Sequence, residues 1–151
     1  MWKSNIINIK WITVYILCSL SFGASVSEDV AIEVARNIYL EKGDLHNRED
    51  FFISSVETIK NEGNNLIYIF HLEPTGFILV SADDQAVPNL AFGFDHPFES
   101  ENMPSNLNAL IHQYKTELNI LVDNPADPAH EIAEKWDYYL SGNIQPSRDR
   151  D

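Results

Sequence analysis

Apolar residues recur with helical spacing near both ends of the chain and with strand-like composition in the middle. Val30, Val34 and Ile38 follow one another every four residues, which predicts an amphipathic helix from about Ser27 to Lys42. Ser25 and Glu28 have the spacing of a capping box, and Gly43 suits the C-terminal end.

The middle of the chain is rich in aromatic and β-branched residues, and short turns interrupt it. The predicted strands are Phe51–Ile59, Leu66–Leu72, Phe77–Ala82 and Val87–Phe94. The segment Glu73-Pro74-Thr75-Gly76 predicts a tight hairpin loop, because proline fixes φ and glycine accepts a positive φ. Four successive strands with short links predict an antiparallel meander, and Pro88 favours an edge position for the last strand.

Two further helices are expected after the strands. The first begins with Ser105 or Asn106 as its cap and runs to Val122. Its apolar stripe comprises Leu107, Leu110, Ile111, Tyr114, Leu118 and Leu121. The second has Asp127 as its cap, Pro128 as its first residue and Gly142 at its end, with Ile132, Trp136 and Leu140 facing inward. The predicted fold class is α+β, a four-stranded antiparallel sheet with the N-terminal helix and the C-terminal helices packed on it.

Residues 1–27 have the pattern of a secretory signal peptide. Lys3 and Lys10 form a positive start, an apolar run covers Trp11–Phe22, and small residues follow. We therefore expect a secreted or periplasmic protein, cleaved between Gly23 and Ser27. The expected domain covers residues 28–142 and a disordered tail covers 143–151. An uncleaved membrane anchor and a lipoprotein modified at Cys18 are the rival interpretations.

The net charge and the cysteine content exclude several classes of partner and of chemistry. The chain has a net charge of −13, and loss of the two N-terminal lysines changes it to −15. Nucleic acids and anionic membranes bind through lysine and arginine, so neither is an expected partner once the signal is removed. Cys18 is the only cysteine and lies in the predicted signal, which excludes a disulfide scaffold and a cysteine nucleophile in the processed chain.

No recognisable catalytic or cofactor motif occurs along the chain. The five histidines are His46, His71, His96, His112 and His130. They lack helical zinc-site spacing and cysteine companions, so no metal site is expected. A nucleophile elbow and a phosphate-binding glycine loop are also absent from the sequence, so we expect neither a cofactor nor an enzyme. Asp83 and Asp84 are expected to be turn residues, with a contact surface as the alternative.

One segment of the chain carries a family resemblance. Gly76-Phe77-x-x-Val80-Ser81-Ala82-Asp83-Asp84 is followed by Pro88, a strand at Leu90–Phe94, Phe98, and Met103-Pro104 before a helix. This order resembles the pro-domain of the streptopain family of cysteine peptidases and its free-standing relatives, the streptopain inhibitors of the Spi type. The resemblance covers roughly residues 30–140.

The resemblance implies a domain that holds a papain-fold cysteine peptidase inactive. A streptopain-like peptidase is therefore the expected partner, bound non-covalently so that its catalytic site is blocked or misaligned. Family pro-domains often carry asparagine where this chain has His71. The candidate inhibitory contacts lie in two predicted loops and are His71, Glu73, Pro74, Thr75, Gly76, His96, Pro97 and Phe98. The alternative is that both loops are only connectors.

Two other functions remain open on sequence grounds. The chain ends where a peptidase domain would begin, so it is also compatible with an orphaned pro-domain from a truncated or split peptidase gene. A module that binds a small ligand or a surface through the concave face of the sheet is the third possibility, and it predicts an apolar pocket there.

Overall fold

The computed structural model describes residues 24–43, 51–101 and 103–146. Its helices are α1 (Glu28–Lys42), α2 (Ser105–Asp123) and α3 (His130–Leu140). Its strands are β1 (Phe52–Asn61), β2 (Asn64–Glu73), β3 (Phe77–Ser81) and β4 (Asn89–Gly93). Residues 1–23 of the predicted signal (1–27), residues 44–50, and residues 147–151 of the predicted tail lie outside the described residues.

The four strands form one antiparallel sheet in the order β1-β2-β3-β4, which confirms the predicted α+β fold and meander. Each strand pairs with the next along the chain because the links between them are short. β1 and β2 meet at Glu62-Gly63, where both residues have positive φ, 49° and 87°. A two-residue turn of this kind matches the right-handed twist of its strands. Pro88 precedes β4, which is an edge strand as predicted.

Helices cover both faces of the sheet, because successive side chains of its central strands point to opposite sides. One face carries Tyr68, Phe70 and Leu72 of β2 into a core that they share with α1 and α3. The other face carries Ile67 and Ile69 into a core under α2. The apolar run in β2 is therefore buried on both sides.

Five residues of the predicted stripe of α2 pack in the core under this helix: Leu107, Ile111, Tyr114, Leu118 and Leu121. Ile111 and Leu118 are buried, with Leu118 only 1% exposed. Tyr114 donates its hydroxyl hydrogen to the carbonyl of Leu90 at 2.7 Å, which ties the middle of α2 to the edge strand. A face packed in this way counts against a ligand pocket between the sheet and this helix.

The predicted starts of all three helices are wrong in their capping residues. The cap of α1 is Ser27, whose Oγ accepts from the N–H of Val30, and not Ser25. α2 begins at Ser105 after Pro104, and no side chain caps it. α3 begins two residues later than predicted, after Ala129, also without a side-chain cap.

The predicted inward face of α3 is right for Trp136 and wrong for Leu140. Trp136 is 6% exposed, and its indole N–H donates to the carbonyl of Ala86 at 2.8 Å. Leu140 is 38% exposed, since Tyr139 takes the buried position beside it. The helical period brings Trp136 and Tyr139 to the same face.

Residues 24–27 pack against the sheet, although the predicted domain starts at residue 28. Ser25 forms an isolated bridge with Asp83. Val26 is buried, and its N–H donates to the carbonyl of Ala82 at 2.8 Å. The described fold therefore begins before the helix that periodicity identifies.

Candidate functional site

The hairpin between β2 and β3 contains a glycine with a positive φ that approaches the backbone of β4 closely. Gly76 has a φ of +121° and is buried. A Cβ placed there would lie 2.8 Å from the carbonyl oxygen of Gly93. The N–H of Leu72 donates to the carbonyl of Gly76 at 3.0 Å, and the Glu73–Pro74 peptide is cis. Glycine is thus needed at this position both for its φ and for its lack of a side chain.

The loop that follows β4 folds back onto the same end of the sheet. Its Phe98 is 5% exposed. The ring centroid of Phe98 lies 5.3 Å from that of Phe77 and 6.3 Å from that of His71, both edge to face. Two segments that are more than twenty residues apart in the sequence are therefore joined by an aromatic cluster.

A polar contact joins this loop to β1 as well. Ser100 donates its hydroxyl hydrogen to Oε2 of Glu57 at 2.9 Å. The same carboxylate oxygen lies 3.6 Å from Nε2 of His71. Glu57 and His71 stand on neighbouring strands, so the loop is attached to both the first and the second strand of the sheet.

The candidate contact residues divide into an exposed set and a buried set. Glu73, Pro74, His96 and Pro97 are exposed, and Thr75 and His71 are half-buried. Gly76 and Phe98 are buried, so in this structure they shape the loops and do not present a surface. Whether the exposed residues contact a partner stays a prediction.

Sequence reasoning missed one exposed aromatic residue at this end. Phe52 is 58% exposed and stands opposite Glu73 in the pairing of β1 with β2. Its neighbour Phe51 is half-buried and stacks on Tyr39, with ring centroids 3.8 Å apart. Two adjacent aromatic residues at the start of a strand were the available signal, because neighbours in a strand point to opposite faces.

We call this end of the molecule the hairpin-end surface and define it by its exposed residues. They are Phe52, Glu73, Pro74, His96 and Pro97. The surrounding loop adds the exposed carboxylates of Asp95, Glu99 and Glu101. Between residues 51 and 101 the only lysine or arginine is Lys60, which lies at the other end of β1. The hairpin-end surface therefore combines apolar side chains with negative charge.

The opposite end of the sheet contains the Asp83-Asp84 turn. Oδ1 of Asp83 accepts from the backbone N–H of Gln85 at 2.9 Å, which confirms the prediction that Asp83 is a turn residue. Oδ1 of Asp84 accepts from the N–H of Ala24 at 2.9 Å. Burial, opposed by that hydrogen bond, raises the pKa of Asp84, and the negative charge of Asp83 adds to the increase.

A groove of about 660 Å³ lies between α1, α3 and the start of β4. Tyr139 donates its hydroxyl hydrogen to Oε2 of Glu41 at 2.6 Å there. Burial and the Glu41 carboxylate together raise the pKa of Tyr139. Oδ1 of Asn89 is buried and has no hydrogen-bond partner among the described residues.

Metal-binding clusters and membrane-spanning helices are both absent from the described ranges. No group of three or more histidine, cysteine, aspartate or glutamate side chains there is arranged to hold a metal ion. No helix within the same ranges has the length and apolar character needed to cross a bilayer.

The residues of the hairpin-end surface lie in the part of the chain that matches a known protein family. The model of a family described as Spi protease inhibitor matches residues 23–118. The chain is also similar to the thiol protease/hemagglutinin PrtT of Porphyromonas gingivalis, with 28% identity over 116 residues. That alignment covers 72% of this chain but only 13% of the relative, so the chain spans a small part of the relative's length. No solved structure matches the chain significantly.

Proposed function

Because the chain belongs to the Spi protease inhibitor family, we propose that it binds and inhibits a streptopain-like cysteine peptidase of the papain fold. The family match is the observation that carries this proposal. It supports a protease inhibitor or the propeptide of a thiol protease, and the target and the mode of binding are the proposed part. The match includes β1 to β4, the hairpin and the loop that carries Phe98.

The proposed binding surface is the hairpin-end surface. Its support is preorganisation, because buried residues hold the two exposed loops in place. Phe98 of the second loop packs on Phe77, and the missing side chain of Gly76 allows the hairpin to approach the backbone of Gly93. Loops that are ordered before binding lose less conformational entropy when the partner arrives. Phe52 adds an exposed aromatic side chain, a type that is enriched in protein interfaces, and Pro74 and Pro97 add exposed apolar rings.

The proposed inhibition needs no reacting group in this chain. A cysteine peptidase requires a thiolate and an imidazole held in hydrogen-bond geometry. A domain bound over the cleft stops substrate entry, and a domain that binds a misaligned state better than the aligned one shifts the enzyme toward the inactive state. Both modes are reversible and non-covalent. They differ in whether a small covalent probe still reacts with the catalytic cysteine of the complex.

Negative charge on the hairpin-end surface should accelerate association with a partner that is basic around its cleft. Asp95, Glu99 and Glu101 are exposed and have no lysine or arginine near them in the sequence. Opposite charges on two partners steer their encounter, and at 0.1 M salt this attraction is screened beyond about 10 Å. The association rate constant should therefore fall as salt rises, and the dissociation rate constant should change less.

The test is an inhibition titration with one paired comparison. The chain is preincubated with a mature streptopain-like peptidase, and the remaining activity is followed on a fluorogenic peptide. Glu73→Lys changes the hairpin-end surface. Glu62→Lys makes the same charge change at the other end of β2, where Glu62 is also exposed. We expect stoichiometric inhibition by the natural chain and by Glu62→Lys, and at least tenfold weaker inhibition by Glu73→Lys.

The outcomes separate the two parts of the proposal. Undiminished peptidase activity at excess of the natural chain would refute inhibition. Inhibition that Glu73→Lys and Glu62→Lys weaken equally would retain the function and refute the hairpin-end surface as its site. Circular dichroism of both variants establishes that each is folded before its inhibition constant is compared.

A propeptide role is the second candidate, and the alignment with a thiol protease favours it. Here the same domain would restrain a peptidase that is part of its own chain until processing separates the two. The size of the native protein in its source cells distinguishes the roles. A species the size of this chain that appears without a larger precursor supports a separate inhibitor. A larger precursor that reacts with an antibody against the domain supports a propeptide.

We also propose that the protein is exported to the periplasm or secreted. The support is the sequence of residues 1–27, with Lys3 and Lys10 before the apolar run Trp11–Phe22. Fractionation of cells that express the full chain tests this directly. Recovery of the protein only in the cytoplasm would refute export, whatever the inhibition assay shows.

A further inference from the structure

The described fold starts with a short segment that closes the turn between β3 and β4. The backbone N–H of Ala24 donates to Oδ1 of Asp84 at 2.9 Å, and the carbonyl of Ala24 accepts from the N–H of Asp84 at 3.3 Å. Ser25 bridges Asp83 one residue further on. Ala24 itself is exposed, so its nitrogen lies at the surface beside the Asp84 carboxylate.

The surroundings of that nitrogen are negative. Asp83 and Asp127 are close enough to Asp84 to raise its pKa, in addition to the larger effect of burial. A groove of about 410 Å³ runs past Ala24, and Asp84 and Asp137 line it. Its lining residues, all within the described ranges, include no lysine or arginine. The groove beside Ala24 is therefore lined by carboxylates, with no lysine or arginine among its lining residues.

Signal peptidases select small residues at the first and third positions before the cut. Three bonds in the expected region meet that rule. For a cut after Gly23, the third and first residues before it are Ser21 and Gly23. For a cut after Ser25 they are Gly23 and Ser25, and for a cut after Ser27 they are Ser25 and Ser27. The sequence pattern fits all three bonds, whereas the contacts of residues 24–27 in the fold favour one of them.

We propose that cleavage occurs between Gly23 and Ala24, and that the new α-ammonium group of Ala24 forms an ion pair with the carboxylate of Asp84. Hydrolysis of this peptide bond adds one water molecule, leaves the carboxylate on Gly23 and frees the amine on Ala24. The amine is protonated near neutral pH, because an α-amino group has a pKa of about 7.7–8.0. The proposal goes beyond inhibition and rests on the proposed export alone.

The two later cuts would remove contacts that the fold uses. A cut after Ser25 removes both hydrogen bonds between Ala24 and Asp84. A cut after Ser27 also removes Val26, whose carbonyl accepts from the buried hydroxyl of Tyr68 at 2.9 Å. It would leave that hydroxyl without this acceptor, and an unsatisfied buried polar group is costly. Cleavage after Gly23 keeps every one of these contacts.

Cleavage at this bond would change the contribution of ionised Asp84 to the stability of the fold from unfavourable to favourable. In the uncut chain Asp84 accepts from a neutral amide, and its raised pKa means that ionisation is less favourable in the folded state than in the unfolded chain. In the cut chain the ammonium group should lower the pKa of Asp84 and raise its own. The stability from the ion pair is then present above the unfolded carboxyl pKa, about 3.9, and below the unfolded amine pKa, about 8. It is lost as pH falls through the folded carboxyl pKa or rises through the folded amine pKa.

The first experiment determines the N-terminus. The full chain is expressed in a Gram-negative host, and the protein is purified from the periplasm, sequenced from its N-terminus and weighed by mass spectrometry. A sequence that starts Ala-Ser-Val-Ser supports the proposal. A start at Met1, Val26 or Glu28 overturns it. The inhibition titration is independent of this result, so failure here and failure of the proposed function are distinguishable.

The second experiment tests the ion pair in the processed protein. Selective acetylation of the α-amino group removes the charge of Ala24 but keeps an N–H to donate. Asp84→Asn removes the charge of the partner and keeps its shape. Asp137→Asn is the matched control, since Asp137 lines the same groove and the described contacts place no bond between its carboxylate and Ala24.

Acetylation is expected to abolish or reverse the effect of Asp84→Asn on the thermal midpoint. At pH 7, Asp84→Asn should lower the thermal midpoint of the processed protein, and after acetylation it should leave the midpoint unchanged or raise it. Asp137→Asn should act alike in both forms. The amine of Ala24, titrated by NMR, should have a pKa at least about one unit above that of a free α-amino group and return toward it in Asp84→Asn. An unshifted amine, or equal effects of Asp84→Asn before and after acetylation, would overturn the ion pair.

Discussion

Replacing Leu118 with alanine tests whether α2 holds one of the two cores. Leu118 is 1% exposed and lies in the cluster that also contains Ile67, Ile69 and Leu79 of the central strands. The substitution removes three carbon atoms, and each buried methylene contributes about 0.8 kcal/mol, so the transfer part alone is about 2.4 kcal/mol. The cavity left behind adds to this, and the expected loss in the free energy of unfolding is about 2–5 kcal/mol.

Urea unfolding followed by tryptophan fluorescence and by circular dichroism measures the loss. With a slope of about 2 kcal/mol per molar urea, the midpoint should fall by roughly 1 M or more. Ile120→Ala is the control on the same helix, because Ile120 is 57% exposed and should change the free energy of unfolding by less than about 1 kcal/mol. Equal effects of the two variants, or a change at Leu118 within about 0.5 kcal/mol, would show that this helix does not cover the sheet as described.

Three further outcomes follow from individual contacts. Gly76→Ala should destabilise the fold by about 2 kcal/mol or more, since a positive φ costs about 1–2 kcal/mol without glycine and the added Cβ meets a backbone oxygen at 2.8 Å. Gly142→Ala has a positive φ and nothing within 4 Å, so a smaller loss is expected there, and an equal loss in thermal unfolding would contradict the crowding at Gly76. Tyr139→Phe should cost about 0.5–1.5 kcal/mol through loss of the hydrogen bond to Glu41, measured by urea unfolding at pH 7. The pKa of Tyr139 is raised in the fold, so the stability from its protonated form is complete below the unfolded pKa of about 10 and is lost as pH rises through the folded value. Tyr139→Phe should therefore flatten the alkaline decline in stability, and an unchanged slope would contradict the shift.

The meander was predictable from the sequence because its signals are local. Strand-forming residues alternate with short turns at Gly63 and Gly76, and each turn is long enough only for neighbouring strands to pair. The stripe of α2 was predictable for the same reason, since helical spacing brings its apolar residues to one side whatever the rest of the chain does. These patterns depend on residues within a few positions of one another.

The helix starts were not predictable in detail, because capping depends on the path of the preceding chain. Ser25 and Ser27 are both reasonable caps by residue type. Pairing of Ser25 with Asp83, almost sixty residues away, leaves Ser27 to cap α1. A similar ambiguity affected α3, where Asp127 and Pro128 matched the local rules but the helix begins at His130.

For the hairpin-end surface, the sequence identified the two loops but not their relation. Turn residues and prolines marked the hairpin after His71 and the loop around His96. Only the packing of Phe98 against Phe77 and His71 shows that these loops share one end of the sheet. The same packing shows that Gly76 and Phe98 are supporting residues, and exposure in the folded chain adds Phe52 to the surface.

By itself, the sequence of this protein determined the fold class, the order of the strands and the family, because periodicity, turn residues and a motif of adjacent positions are properties of the linear chain. The tertiary structure decided which residues face solvent, which loops meet, and that Ala24 contacts Asp84 at the turn between β3 and β4. Those features come from contacts between distant residues, such as Ala24 with Asp84 and Phe98 with Phe77. No local pattern encodes such contacts, since each depends on the whole chain having closed around its two cores.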